Sequence, residues 1–308
     1  MSANKGLSSR AIIGSFYHAL SVNSGAPWVG PTSMLFNSDQ ESETYKWLGQ
    51  SPAVREWVGG RNAKGFTENG LTIVNKKYEA TLEVPVDWMR RDKTGQLMMR
   101  INELAGRTNS HWASLLSTLI LNGEATTCYD GQYFFDTDHS EGSSGSQSND
   151  LTFAAATGTV PTTTEFADSL LAAIAAIVGF KDDQGEPMNE DANSFLVMAP
   201  INMLATARAA AGAQYLINGV SNPVLSQNDF NVTVVGNARL TNTDRYYVFR
   251  TDGDVAPFIR QEEEGVTISA IAEGSELEFN DDVHHYGVKA IRNVGYGYWQ
   301  KSCLTTFT

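Results

Sequence analysis

Between Tyr45 and Asn122 the apolar residues change their spacing, and the rest of the chain is read from that change. Leu71 and Ile73, then Tyr78, Ala80, Leu82, Val84 and Val86, alternate with polar residues on either side of Asn75-Lys76-Lys77. A period of two marks a strand with one apolar face. Its return strand must come from the preceding residues, across the turn region from Gly59-Gly60 to Gly70, and the segment closes on Val86 to Asp92. The expectation is a long, exposed β-hairpin. An isolated hairpin is marginal in water, so this one needs a further surface to lie on. From Gln96 the spacing becomes three or four: Leu97, Ile101, Leu104, Thr108, Trp112, Leu115 and Leu119 share one helical face, and Gly123 stops the run. Such a helix spans roughly 40 Å at about 1.5 Å per residue.

The flanking patterns are shorter. Ser9 is the expected N-cap of a first helix that places Ile12, Phe16, Tyr17 and Leu20 on one face. Ser21 to Pro31 then reads as an extended arm punctuated by Pro and Gly, either a strap on its own domain or an arm that crosses to a neighbour. Gln132-Tyr-Phe-Phe reads as a short aromatic strand, and Gly142 to Asn149 as a flexible low-complexity loop. Thr164-Glu165 caps a helix to about Val178, with Phe166, Leu170, Ile174 and Ile177 inward. Ser194 to Ala199 is a buried strand ending at Pro200, and Asn202 to Ala211 is an Ala-rich helix. Strands follow at Val232–Val235, Arg245–Arg250, Gly265–Ala270, His285–Ile291 and Gly297–Thr305. Helices mixed with such strands give an α+β protein.

The chain has 308 residues, 42% of them hydrophobic and 10% aromatic, which suffices for a real core and argues against disorder. Its formal charge of −13 opposes a role as a free nucleic-acid binder, which needs a basic face. It does not oppose a wall that merely encloses nucleic acid. Cys128 and Cys303 are expected to be buried free thiols. No stretch reads as a signal peptide or approaches the length of a membrane span.

Candidate chemistry is sparse. Asp136, Asp138, His139 and Glu141 could converge on a cation, but they lack the Gly and the final Glu of an EF-hand loop, and a solvated acidic loop fits them better. His284 and His285 are adjacent, so in a strand they face opposite ways and do not share a metal easily. His18 and His111 stand alone on helices. No Gly-x-Ser-x-Gly elbow, P-loop, His-Glu-x-x-His or Cys-x-x-Cys occurs. No catalytic, cofactor or metal residue is therefore assigned. In an exposed ribbon, large aromatics need a covering partner. Trp57 is assigned to an interface on that ground, while Trp47 and Trp88 fit either an interface or their own domain.

The wording of the ribbon adds a resemblance. Tyr45-x-Trp-Leu-Gly, Arg55-Glu-Trp-Val-Gly-x-Arg61, Asn75-Lys76-x-Tyr78-Glu79 and Arg90-Arg91-Asp92 resemble the Mu-like prophage major head subunit, the gpT family of tailed-phage capsid proteins. The likeness is specific over about residues 37 to 122 and beyond that is one of layout. It implies the Hong Kong 97-type fold: an arm (1–44), an extended hairpin loop and its base (45–92), a peripheral domain with a long spine helix (93–163 and 273–308) and an axial domain (164–272). It implies a major capsid protein of an icosahedral head, built from hexamers and pentamers of itself and enclosing double-stranded DNA without reading its sequence. Scaffold, portal and decoration proteins would be its other partners. No membrane and no cofactor is implied. Assembly would occur in the bacterial host cytoplasm, and the mature location would be the virion. Trp57, Arg61, Lys76, Lys77, Tyr78, Arg90, Arg91, Glu262 and Glu263 become candidate contacts between subunits. The alternatives are an encapsulin-like compartment shell and a small-molecule hydrolase using the acidic loop at Asp136–Glu141.

Overall fold

The computed structural model describes residues 8–23, 25–46, 70–91, 95–212, 222, 224 and 230–308. Two mixed sheets carry the chain. The first runs in the order β1 (Ser33–Asn37), β9 (Phe258–Ile271), β10 (Val283–Tyr296) and β4 (Lys76–Pro85). In it β1 is parallel to β9, and β10 is antiparallel to both β9 and β4. The second runs β5 (Asp150–Phe153), β11 (Ser302–Phe307), β8 (Arg245–Arg250), β6 (Ser194–Ala199) and β7 (Asn231–Gly236). A small antiparallel pair, β2 (Ser42–Tyr45) and β3 (Leu71–Val74), stands apart.

The long helix α4 (Gln96–Leu121) links two apolar cores. Its first half buries Leu97, Ile101 and Ala105 against Ile12 and Phe16 of α1 (Ser9–Val22) and against Val84, Ile268, Tyr286 and Val288 of the four-stranded sheet. Its second half buries Ala113, Leu116 and Ile120 in the larger core. That core also holds α5 (Thr163–Gly179), α6 (Leu204–Gly212) and the second sheet. Ile101 and Leu116 are fully buried, and each such side chain stabilises the fold by roughly 1.5–3 kcal/mol relative to exposure. The helix starts behind Gly95, whose φ of 73° suits a residue without Cβ, and uses no side-chain cap. Tertiary burial rather than capping therefore holds it. Short helices α2 (Val29–Thr32), α3 (Val86–Arg91) and α7 (Glu276–Asp281), with 3₁₀ turns over Ile201–Met203 and Trp299–Lys301, complete the described elements.

Several expectations change. The long strand breaks at Asn75. β3 does pair back onto earlier residues, Leu71 against Tyr45, but β4 instead forms the edge of the four-stranded sheet. Val86 to Arg91 is a helix, not the strand's end. The cap of α1 is Ser8, one residue earlier than expected, and α1 lies on its own α4 as a strap does. Its Tyr17 is half-exposed, with Oη accepting from Ile268 N at 3.2 Å, while Ser9, Ile12 and Phe16 form the buried stripe. The 132–135 stretch makes only an isolated bridge, Thr127 to Tyr133. The cap of α5 is a capping box between Thr162 and Glu165. α6 begins at Leu204, after a 3₁₀ turn over Ile201–Met203. Pairing also divides the sheets differently from the expected segments. β9 lies beside β10, and β11 lies between β5 and β8.

Candidate assembly surfaces

The base of the ribbon is anchored by buried polar contacts. Tyr45 Oη donates to Gln261 Oε1 at 2.7 Å, and Gln261 Nε2 donates to Asn75 Oδ1 at 2.9 Å and Ile73 O at 3.2 Å. Gln261 is fully buried on β9, and burial, helped by the nearby Glu43 charge, pushes the Tyr45 phenol up to about 12. Asn75 donates from its backbone to Glu41 O and from its side chain to Gln40 O, each at 2.8 Å. Ile73 sits on Gly295 of β10, where an added Cβ would lie 2.4 Å from its Cδ1. β2 and β3 thus leave the body from one fixed place. Trp47, Trp57 and Arg61 lie outside the described residues.

The edge strand β4 carries Lys76, Lys77 and Tyr78. Lys76 and Lys77 are exposed, as befits a sheet edge that avoids promiscuous pairing. Tyr78 is turned inward, edge-on to His111 of α4 with ring centroids 4.4 Å apart. Both line a groove of about 290 Å³ between α4 and the sheet. Tyr78 is therefore half-buried in its own subunit.

Arg90 and Arg91 stand at 3.7 and 3.2 Å from Asp87 of their own short helix, and both arginines are largely exposed. Such pairs contribute little and leave the guanidinium groups accessible. Trp88, on the same helix, is 66% exposed, and Phe279 of α7 is 90% exposed. The two helices meet where Val86 N donates to Asp282 O at 3.0 Å. This end of the four-stranded sheet therefore presents aromatic and basic groups together. Phe279 escaped sequence reasoning because its helix is too short to show a period. Glu262 lies 3.8 Å from Arg292 in its own chain and Glu264 pairs with Lys289 at 2.5 Å, while Glu263 between them is exposed.

The acidic loop is solvated only in part: Asp138 is exposed, Asp136 and Glu141 are half-buried, and His139 is buried. Asp136 accepts from Tyr133 N at 3.2 Å and Thr137 N at 2.7 Å. His139 is fully buried and stacks on Trp299, with centroids 3.9 Å apart and planes 7° apart. Its Nδ1 lies 2.6 Å from Asp130 Oδ2 and its Nε2 lies 3.3 Å from Asn149 Oδ1. Cys128 Sγ donates to Asp130 Oδ1 at 2.9 Å. Burial alone would raise the Asp130 carboxyl, but these hydrogen bonds outweigh it and hold it below the usual range. Glu141 is pushed up to about 7 by burial and by the Asp130 charge. The Gly/Ser stretch after it is fixed too. Gln147 exchanges hydrogen bonds with Lys181, and Ser143 N donates to Asp183 O at 2.7 Å. His284 is buried and His285 faces Glu83 at 3.1 Å, so the two do point apart. Both cysteines are buried free thiols.

The family model described as Mu-like prophage major head subunit gpT matches residues 10–162 and 220–306. The chain belongs to this family. It is 26% identical over 267 residues to the Mu-like prophage FluMu major head subunit of Haemophilus influenzae, an alignment covering 86% of this chain and 62% of that protein. It is 35% identical over 107 residues to the major capsid protein of Escherichia phage Mu, covering 35% of each. The chain thus spans less than two thirds of these relatives' length. Among solved structures, the procapsid of bacteriophage JBD30 superposes with a TM-score of 0.57 at 22% identity, over 96% of this chain and 72% of that one. The fold is of the Hong Kong 97 type, with the two sheets, spine helix and ribbon base described above. No helix among the described residues is long and apolar enough to cross a membrane.

Proposed function

We propose that this member of the gpT family is a major capsid protein that self-assembles, as hexamers and pentamers, into the icosahedral head of a Mu-like tailed phage or prophage. The match of the family model over most of the chain carries the reading. The mechanism is physical. The ribbon leaves the body from a base pinned by Gln261 and Gly295, and residues between Lys46 and Gly70 reach across a neighbouring subunit, with Trp57 and Arg61 as contacts. Lys76 and Lys77 on the edge strand, Arg90 and Arg91 beside Trp88, and Glu263 form further charged contacts. Tyr78, turned inward, shapes the edge from within. Contacts of this kind, each modest, add up when symmetry repeats them around a closed shell.

The net charge of −13 opposes free nucleic-acid binding by counterion displacement, but not a wall that merely encloses double-stranded DNA. Scaffold, portal and decoration proteins are the expected partners, and assembly would take place in the host cytoplasm. The family of structural head subunits speaks against an enzyme. Co-expression with the neighbouring genes, followed by electron microscopy of particles and analysis of their contents, tests the reading. Nucleic acid inside marks a head, and protein cargo inside marks a compartment shell.

A further inference from the structure

Outside the assembly surfaces, one cluster of metal-ligating side chains stands out. Cys128, Asp130 and His139 bring a sulfur, an oxygen and a nitrogen within 4.8 Å of one another, in the loop that leaves the spine helix. None of the three takes part in the assembly surfaces above.

The orientation of Asn149 decides how the cluster is read. Its Nδ2 donates to Phe134 O at 2.8 Å, and its Oδ1 accepts from Asp136 N at 2.9 Å. The amide is therefore fixed with Oδ1 toward His139 Nε2, 3.3 Å away. His139 Nδ1 faces Asp130 Oδ2 at 2.6 Å. So short a contact holds either the imidazole's own proton, donated to the carboxylate, or a metal ion in its place.

The surroundings favour the ion. A histidine that donates its outer N–H to a fixed carbonyl and turns its other nitrogen inward has the arrangement of a metal-bound imidazole. The third corner is Cys128 Sγ, buried and aimed at the same carboxylate. Burial and the neighbouring Asp130 push that thiol far up, so without a cation it remains an inert S–H. A mixed sulfur, nitrogen and oxygen set suits a borderline-soft ion of small radius. Tetrahedral zinc holds such ligand atoms about 3.4–3.6 Å apart, and the three atoms here lie within 4.8 Å of one another.

We propose that Cys128, Asp130 and His139 bind one Zn²⁺, with the fourth position left to water. On binding, the Cys128 S–H bond breaks, its proton passes to solvent, and the thiolate, the carboxylate and the neutral imidazole each donate an electron pair. The ion is a staple. It ties Cys128 and Asp130 to His139 within the loop after the spine helix, and His139 in turn stacks on Trp299, whose carbonyl lies 3.5 Å from Asn149 Nδ2.

The test is metal analysis of the folded full chain after dialysis against metal-free buffer, followed by cobalt replacement. The expected result is about one zinc per chain. Co²⁺ should take its place with an intense thiolate-to-cobalt absorption, and a chelator should lower the melting temperature. Cys128→Ser should abolish the cobalt band, and His139→Gln should lower zinc occupancy at least tenfold. If either variant fails to fold, the stoichiometry and cobalt spectrum of the unaltered chain decide alone. A folded chain that holds no zinc, takes up neither ion and melts identically with and without chelator overturns the proposal. The cluster would then be a hydrogen-bonded set of Cys128, Asp130 and His139.

Discussion

Arg292 on β10 donates from Nε to His111 Nδ1 on the spine helix at 3.1 Å, and its guanidinium lies 4.6 Å above the neighbouring Trp112 ring. Its Nη2 also donates to Thr108 O at 3.2 Å. This one buried side chain fastens the middle of α4 to the sheet, at the place where the helix passes from one apolar core to the other. Arg292→Met should leave His111 and Glu262 without their partner and destabilise the subunit by about 2–4 kcal/mol. Arg292→Lys should rescue it only in part, because an ammonium cannot both fork and stack. Urea unfolding of the unassembled subunit measures both.

The same contact sets an acid limit. Burial, and then the Arg292 charge, lower the His111 pKa from 6.5 to about 4. Between those values the unfolded chain binds a proton that the folded chain refuses. The stabilisation is therefore complete above pH 6.5 and is lost as pH falls toward 4, amounting to about 2 kcal/mol after solvent screening of this half-buried ring reduces the roughly 3 kcal/mol of the full shift. His111→Gln keeps an acceptor for Arg292 but does not titrate. Its stability should vary less with pH across that window than that of the unaltered chain.

Lys301 works in the opposite range. It is buried, donates to Asn189 Oδ1 at 2.8 Å, and is lowered from 10.5 to about 8 by burial and then by the charge of Arg250. The unfolded chain binds the extra proton between these values, so this group costs stability below pH 8 and ceases to do so as pH rises toward 10.5. Lys301→Met should remove that upward slope. Melting curves collected between pH 7.5 and about 10, below the range of the raised tyrosines, give the comparison.

The ribbon base is a matched pair of a large and a small residue. Gly295→Ala would press on Ile73, costing about 1–3 kcal/mol and shifting β2 and β3 off the sheet. Ile73→Val should recover part of that loss in the double variant, although alone it destabilises. A thermal double-mutant cycle reads the coupling, and additive effects would rule out the contact.

Part of this was legible in the sequence. The spine helix was, because its apolar residues repeat over 26 residues and Gly123 packs under Phe135 where the helix stops. Leu115 was expected inward, yet Leu116 and Ile120 are the buried pair. The helix changes neighbours halfway, and a single stripe does not record that. Alternation through Leu71 to Val84 gave the face of a strand but not its partner, so the break at Asn75 was hidden. The acidic and Gly/Ser loops looked solvated because their composition is polar. Their partners, such as Lys181 and Trp299, lie far along the chain. The motif resemblance did what periodicity does not, since it located the family from tryptophans and arginines whose spacing carries no secondary-structure signal.

The central claim is that the subunit builds a closed shell through its ribbon. Tyr45 and Leu71 are paired across the ends of the ribbon, so residues 48–68 can be replaced by a short Gly/Ser turn without disturbing the base. The measurement is negative-stain electron microscopy with sedimentation, comparing the unaltered chain and this variant, each expressed with the neighbouring genes. Closed polyhedral particles are expected from the first, and from the second a folded subunit of unchanged melting temperature that forms none. Normal shells from the shortened chain would contradict the role of the ribbon. A monomer or dimer from the unaltered chain under every condition would contradict the shell itself.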